Sequence, residues 1–158
     1  MPEHAEPPIT RQAARAILFD DEGRILLFKR TRPGLPTYWS TPGGGVEPTD
    51  GSLEATLRRE LREELGAEVS GISRVFLHTA PSHSRFGLSV HHFFIAHLEK
   101  LDLSAQSGPE FQDPDRGIYE VYRISLEGDD LAAIDLRPPA LKEFILTNRQ
   151  VLLAEVSA

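Results

Sequence analysis

Cysteine is absent from this chain of 158 residues. Its absence excludes disulfide bonds, thiolate nucleophiles and cysteine-based zinc sites. No apolar run approaches the roughly 20 residues that a membrane-spanning helix needs. The first ten residues, MPEHAEPPIT, also lack the basic and apolar regions of a signal peptide. From these features we expect a cytoplasmic protein without a membrane partner.

Basic residues are fewer than acidic ones, 17 Lys and Arg against 24 Asp and Glu, which gives a net charge of −7. This charge disfavours nonspecific binding to nucleic acid. An acidic protein that acts on phosphates would need a bound cation to offset the repulsion. The length and the ordinary share of hydrophobic residues, 40%, predict one domain over residues 11–158. Residues 1–10 are expected to form a polar, mobile tail.

The chain is organised around a glycine-rich turn, residues 43–45, and the helix that follows it over residues 52–66. Ser52 stands where an N-cap belongs, and Gly66 stands where a glycine commonly ends a helix. Four leucines recur every four residues and form an apolar stripe that must pack on the rest of the protein. They are Leu53, Leu57, Leu61 and Leu65.

Three carboxylates lie near this stripe. On a helical wheel Glu60 and Glu64 fall at its edge, and Glu63 lies between the buried and the wet face. Most charged helices are simply solvated. At a packed position, however, two like charges about 6 Å apart cost about 3 kcal/mol at an effective dielectric near 20. A divalent cation would remove that cost, and oxygen ligands suit Mg²⁺ or Mn²⁺.

These residues resemble the Nudix box, G-x5-E-x7-R-E-U-x-E-E-x-G-U, in which U is apolar. All positions from the arginine onward match, and they are Arg59, Glu60, Leu61, Glu63, Glu64, Gly66 and Ala67. The first glutamate does not match. If Gly45 is the box glycine, the glutamate position falls on Gly51. If Gly44 is the box glycine, Asp50 replaces the glutamate and one residue is inserted. We favour the second alignment because it keeps a carboxylate in the loop.

The resemblance implies an α/β (α+β) fold, in which a mixed β-sheet lies in an α/β/α sandwich. It implies a MutT-like hydrolase that uses Mg²⁺ or Mn²⁺ to cleave a diphosphate (pyrophosphate) linkage in a nucleoside diphosphate joined to another group. The metal ligands would be the backbone carbonyl of Gly44 and the carboxylates of Glu60, Glu63 and Glu64. Arg59 would orient a helix glutamate through a salt bridge.

Members of this family take the general base from a box glutamate, here Glu63, or from a later loop. Glu110, Asp113 and Glu120 are the later candidates, and Glu120 is favoured because the start of its strand should lie near the helix. Glu47 is expected to support the turn, together with Asp50.

Substrate contacts are expected from the segment that follows the second strand. Arg30 or Arg32 could bind phosphate oxygens, and Trp39 or Tyr38 could stack on a base. Each of these residues could equally be structural, the tryptophan in the core and the arginines in solvent.

The remaining pattern indicates strands joined by turns, with a helix at the end. Strands are predicted at 13–19, 24–29, 75–78, 86–98 and 118–124, a loop at 102–116, and a helix at 140–146. The first two strands are nearly continuous in apolar residues, which indicates burial on both faces.

One other function stays open, and a second is disfavoured. A non-catalytic nucleotide-binding or sensor module on the same fold would explain the departure at Gly51. The isomerase branch of this fold uses a cysteine, which this chain lacks. The substrate is a small-molecule nucleotide that the sequence does not identify: oxidised nucleoside triphosphates, ADP-ribose and dinucleoside polyphosphates are all candidates. The oligomeric state is open as well, and a homodimer is one option because dimers are common in similar proteins.

Overall fold

A mixed sheet of seven strands carries helices on both of its faces. The computed structural model describes residues 7–82, 86–107 and 117–157. The strands are β1 (Ile9–Phe19), β2 (Arg24–Thr31), β3 (Tyr38–Ser40), β4 (Gly43–Gly45), β5 (Ala67–Pro81), β6 (Leu88–Leu101) and β7 (Ile118–Ser125). The helices are α1 (Leu53–Leu65), α2 (Pro139–Thr147) and α3 (Arg149–Ser157), and a short 3₁₀ turn spans Leu103–Ala105. The predicted mixed sheet with helical layers is confirmed.

The strand order along the sheet is β3-β2-β1-β6-β5, with β4 paired to β1 and β7 paired to β2. Strands β1 and β6 run parallel, and the other pairs are antiparallel. A hairpin joins β1 to β2, and Gly23 in its turn has a φ of +74°. Glycine suits this position because other residues rarely adopt a positive φ.

Side chains of β1 alternate between two apolar cores, one on each face of the sheet. Leu18 packs with the leucine stripe of α1, and Ile17 packs with the core that α2 and α3 cover. Successive side chains of a strand point to opposite faces, so a strand buried on both sides needs a continuous apolar run. Burial of each such side chain stabilises the fold by roughly 1.5–3 kcal/mol.

Helix α1 begins and ends where its sequence indicates. The Ser52 hydroxyl accepts a hydrogen bond from the backbone N–H of Ala55 at 3.0 Å. Gly66 follows the helix with a φ of +58°, and its N–H donates to the carbonyl of Arg62. These two caps satisfy backbone groups that the helix itself leaves unpaired. Leu57, Leu61 and Leu65 are buried as the stripe requires.

Several elements differ from the prediction. Strand β1 already begins at Ile9, so residues 9 and 10, which were assigned to the tail, belong to the sheet. Strand β5 is much longer than residues 75–78, because it continues through Gly71 and through three register irregularities that interrupt its alternating pattern. Strands β3 and β4 and helix α3 were not predicted. The first two are only three residues long, and α3 is only weakly amphipathic.

Strands β1 and β2 separate after a very short pairing. They pair at Leu18 with Leu26 and at Phe19 with Ile25. Beyond that point β1 pairs with β4, and β2 pairs with β3. The sheet therefore opens between the two strands, and the connection from β3 to β4 lines the opening.

No helix in the described ranges is long and apolar enough to cross a membrane.

Candidate functional site

A cavity of about 320 Å³, which we call the cleft, lies where β1 and β2 separate. Its acidic residues, Glu60 and Glu64, come from α1. Its basic residues come from β1 and β2. The full lining consists of Arg11, Arg15, Phe28, Arg30, Ser40, Thr41, Gly43, Gly44, Gly45, Glu60, Glu64 and Tyr119. The cleft thus joins carboxylates, which can bind a cation, to guanidinium groups, which can bind phosphate.

Gly44 lies directly against the carboxyl group of Glu60. A Cβ atom added to Gly44 would stand 2.5 Å from Glu60 Cδ and 2.6 Å from both carboxylate oxygens. Real Cβ atoms essentially never come this close, so any residue other than glycine at position 44 would require the Glu60 carboxylate to move. Gly44, the box glycine of the second alignment, and Glu60 are therefore in close contact.

Glu64 is buried, with 8% of its surface exposed. Its Oε2 accepts a hydrogen bond from the backbone N–H of Gly43 at 2.8 Å. A buried carboxylate needs such donors, because an unpaired charge in the interior is very costly. The glycine turn thus fixes the position of Glu64 at the cleft.

Arg59 joins the turn to the helix carboxylates. Its Nε and one terminal nitrogen donate to Asp50 at 2.8 and 3.0 Å, and that same terminal nitrogen donates to the carbonyl of Gly45 at 3.0 Å. The other terminal nitrogen reaches Glu60 at 2.9 Å and Glu63 at 3.3 Å. The salt bridge that the resemblance implies is therefore present. The hydrogen bonds to Asp50 raise the pKa of Arg59 above its usual range.

Asp50 is the carboxylate that the second alignment assigns to the position of the first box glutamate. Its side chain is 3% exposed and accepts hydrogen bonds from Arg59, from the Thr56 hydroxyl at 2.7 Å and from the backbone N–H of Glu47 at 2.8 Å. These donors, Arg59 above all, hold the pKa of Asp50 well below its usual range. Gly51 is exposed, and an added Cβ would contact nothing within 4 Å. The geometry favours the alignment that uses Asp50.

The remaining residues of the turn and helix have looser positions. The Glu47 side chain is 58% exposed and lies 3.6 Å from Arg59. Glu63 is 39% exposed and does not line the cleft. Across the described ranges, no three acidic or histidine side chains converge in the manner of a metal-binding group. The structure thus brings Glu60 and Glu64 together beside Gly44, and it leaves Glu63 on the solvent side of α1.

Glu120 does not line the cleft with Glu60 and Glu64, although its expected closeness to the helix was the reason to favour it as the base. It pairs with Lys29 across β7 and β2, and its neighbour Tyr119 lines the cleft. Because strand side chains alternate, Glu120 points to the other face of the sheet. The start of β7 lies near the cleft, as expected, but the side chain that lines the cleft is that of Tyr119 and not that of Glu120. The other two candidates, Glu110 and Asp113, lie outside the described residues.

Trp39 also lies away from the cleft. Its ring packs against the core beneath α2 and meets the ring of Tyr122 at 5.8 Å between centroids. Its neighbour Tyr38 lies closer to the site, with its ring 5.4 Å from the Arg30 guanidinium. Arg30 itself lines the cleft and lies 3.6 Å from the centre of the Tyr119 ring. Of the expected substrate-binding residues, the structure places Arg30 at the site and Trp39 elsewhere.

Sequence reasoning missed several residues that line the cleft, among them Arg11, Arg15 and Thr41. Arg15 lies on β1 between buried alanines, whereas Arg11 lies in the exposed, polar start of that strand, and nothing in their spacing links them to residues near position 41. For Arg15 the one signal is that a charged residue is unusual in a buried strand. Burial lowers the pKa of Arg15, which the charge of Glu64 partly offsets.

Known proteins of one family resemble this chain in sequence and in fold. The NUDIX domain model matches residues 9–130. Nucleoside triphosphatase NudI of Klebsiella pneumoniae is 42% identical over 66 residues, which are 40% of this chain and 43% of that protein. Its counterpart from Escherichia coli K12 is 44% identical over 54 residues, which are 33% of this chain and 38% of that protein. The matched segments thus span less than half of these relatives.

Solved structures show the same fold. A Nudix hydrolase from Nitrosomonas europaea superposes with a TM-score of 0.67 at 17% identity, over 89% of this chain and 88% of that one. The Escherichia coli ORF135 protein superposes with a TM-score of 0.61 at 26% identity, over 91% of this chain and 94% of that one. The Nudix domain of Shewanella oneidensis NrtR, solved with ADP-ribose, gives 0.63 at 20% identity, over 96% and 93%. With the family model matching most of its length, and with Gly44, Glu60 and Glu64 of the box lining one cleft, the chain belongs to the Nudix hydrolase family.

Proposed function

We propose that this protein hydrolyses a diphosphate linkage in a nucleotide and that the reaction requires Mg²⁺ or Mn²⁺. One observation carries the proposal. Glu60 and Glu64 line the same cleft as three arginines, Arg11, Arg15 and Arg30. A cleft that holds both carboxylates and guanidinium groups suits a substrate made of phosphates and a cation.

The carboxylates of Glu60 and Glu64, with the carbonyl of Gly44, would hold the cation. Their oxygen atoms are the ligands that Mg²⁺ and Mn²⁺ prefer. A bound cation would offset the charge of the phosphates and lower the pKa of the attacking water. Arg59 would keep Glu60 in place through its ion pair at 2.9 Å, and Asp50 would in turn keep Arg59 in place.

Glu63 is the residue that we propose as general base or additional ligand. It is the box glutamate that remains accessible to water, and the contact with Arg59 at 3.3 Å restrains it. A base must reach the attacking water directly or through one other water. Glu120 is not proposed for this role, because its side chain faces away from the cleft.

Arg30 would bind a phosphate of the substrate. Its guanidinium stacks on Tyr119, and its buried Nε has no hydrogen-bond partner among the described residues. An unsatisfied buried donor costs roughly 1–3 kcal/mol. A phosphate oxygen that enters the cleft would remove this cost and would make a charge-assisted hydrogen bond.

Nucleoside triphosphates are the substrates that we propose first, since the NudI relatives are named nucleoside triphosphatases. ADP-ribose is the second candidate, because the NrtR domain binds it. The alternative of a non-catalytic module rested on the departure at Gly51. The contacts of Asp50 with Arg59 weaken that alternative, because they keep a carboxylate of this loop next to the helix. A cytoplasmic location and a homodimer stay predictions.

A panel of nucleotides tests the proposal. The purified chain is incubated with nucleoside triphosphates, deoxynucleoside triphosphates or ADP-ribose, with Mg²⁺, Mn²⁺ or EDTA, and the release of phosphate, pyrophosphate or nucleoside monophosphate is measured. We expect turnover of at least one nucleotide with a metal and none with EDTA. Tight nucleotide binding without turnover under any of these conditions would favour the binding module instead.

A further inference from the structure

The Arg15 side chain is held at the cleft by two acceptors from distant parts of the chain. Its Nε donates to Nδ1 of His91 at 3.2 Å, and a terminal nitrogen donates to the carbonyl of Thr41 at 3.2 Å. These contacts use two of the five N–H donors of the guanidinium. Its planar fork is thereby fixed in one orientation while it lines the cleft.

The contact with Arg15 determines the state of His91. Because arginine can only donate, Nδ1 of His91 must accept, so the imidazole is neutral and carries its proton on Nε2. Burial and the charges of Arg15 and Arg11 lower the pKa of His91 to about 4. His91 is therefore a neutral acceptor over the range in which most enzymes work.

Thr41 supplies a second, independent sign of a ligand. Its side chain is 3% exposed and lines the cleft next to Arg15. Its buried hydroxyl has no hydrogen-bond partner among the described residues. A hydroxyl in that position is costly unless a bound group satisfies it.

We propose that Arg15 and the Thr41 hydroxyl form a subsite for a phosphate group of the nucleotide, and that His91 is a positioning residue that orients Arg15. That the ligand is a phosphate of a nucleotide follows from the proposed function, so this inference rests on that function and adds a binding subsite to it. Arg15 is a donor only, and the cationic residues Arg11 and Arg30 line the same cleft. An anion with several oxygen acceptors satisfies this set better than a neutral base does.

Two variants of His91 separate positioning from packing. His91→Asn keeps an acceptor close to the place of Nδ1, whereas His91→Leu removes the acceptor and keeps an apolar side chain. Thr41→Val removes the hydroxyl at nearly constant shape. His97→Leu is the matched control, because His97 lies on the same strand and pairs with Asp21 and Glu99, away from the cleft. The melting temperature of each variant reports whether it folds.

The first readout is binding of inorganic tripolyphosphate in EDTA, measured by calorimetry, which needs no hydrolysis. We expect millimolar or tighter binding to the wild type, about tenfold weaker binding to His91→Leu and to Thr41→Val, and near wild-type binding to His91→Asn and His97→Leu. Tenfold is the effect of one lost hydrogen bond of about 1.4 kcal/mol. For turnover, KM should rise about tenfold in His91→Leu while kcat changes little.

The outcomes distinguish this inference from the proposed function. Tripolyphosphate binding that depends on His91, in a protein that hydrolyses nothing, would support the subsite and contradict the hydrolase. Two results would overturn the subsite and leave the hydrolase intact. One is hydrolysis by a protein that binds no tripolyphosphate. The other is hydrolysis together with tripolyphosphate binding that is equally tight in the wild type, in His91→Leu and in Thr41→Val. If folded His91→Asn and folded His91→Leu lose tripolyphosphate binding equally, the positioning role of His91 is overturned.

Discussion

Arg59 holds Asp50 through two hydrogen bonds, from Nε to Oδ1 at 2.8 Å and from a terminal nitrogen to Oδ2 at 3.0 Å. The same guanidinium contacts Glu60 at 2.9 Å. A loop residue that precedes the helix therefore restrains a carboxylate at the cleft through one arginine. This relationship favours the alignment in which Asp50 takes the position of the first box glutamate.

Asp50→Asn tests this restraint. The substitution removes the charge at nearly constant shape, and we expect turnover to fall about tenfold, as is common when partners of metal ligands are changed. Steady-state hydrolysis with saturating Mg²⁺ or Mn²⁺ measures the effect. Gly51→Glu is the reciprocal change and should not increase turnover. An increase in Gly51→Glu together with no effect of Asp50→Asn would show that Gly51 occupies the glutamate position.

Gly44→Ala tests the contact between the box glycine and Glu60. The new methyl group would stand 2.5 Å from Glu60 Cδ, so the carboxylate must move away from the cleft. We expect a loss of turnover of about tenfold or more, by analogy with other changes that displace a metal ligand. Gly45→Ala is the matched control, because its methyl group would meet no atom closer than Arg11 at 3.5 Å. Equal activities of the two variants would contradict the assigned role of Gly44.

The low pKa of His91 makes stability depend on pH. In the unfolded chain His91 takes up a proton near its ordinary pKa of 6.5, and in the folded protein only near 4. Between these values the unfolded state binds more protons, so stability rises with pH from about 4 to 6.5. Other groups titrate in this range, so urea denaturation of wild type and His91→Asn is compared at pH 5 and pH 7. We expect the free energy of unfolding to fall less between pH 7 and pH 5 in His91→Asn than in the wild type. Equal losses in the two proteins would contradict the low pKa of His91.

The helix could be predicted from the sequence because its determinants are local. Ser52 and Gly66 act on backbone groups within one turn, and the leucine spacing repeats the helical period. The placement of Glu60 and Glu64 at the edge of the buried face follows from the same period. For these residues, knowledge of the nearest neighbours in the sequence is sufficient.

The basic part of the cleft could not be predicted in this way. Arg15 and His91 are 76 residues apart in sequence and meet only because β1 and β6 pair in parallel. Thr41 reaches them because β1 and β2 separate, which no local pattern indicates. Glu120 shows the same limit, since a shift of one residue in a strand moves a side chain to the other face of the sheet.

The central claim is that Glu64 at the cleft is required for metal-dependent hydrolysis, and the turnover of Glu64→Gln tests it most directly. Glutamine keeps an oxygen that can accept the N–H of Gly43, so the variant should fold, but it loses the charge that a divalent cation requires. Glu54→Gln, an exposed residue of the same helix, is the control. We expect turnover with Mg²⁺ or Mn²⁺ to fall by orders of magnitude in Glu64→Gln and to stay unchanged in Glu54→Gln. Near wild-type turnover by folded Glu64→Gln would contradict the account.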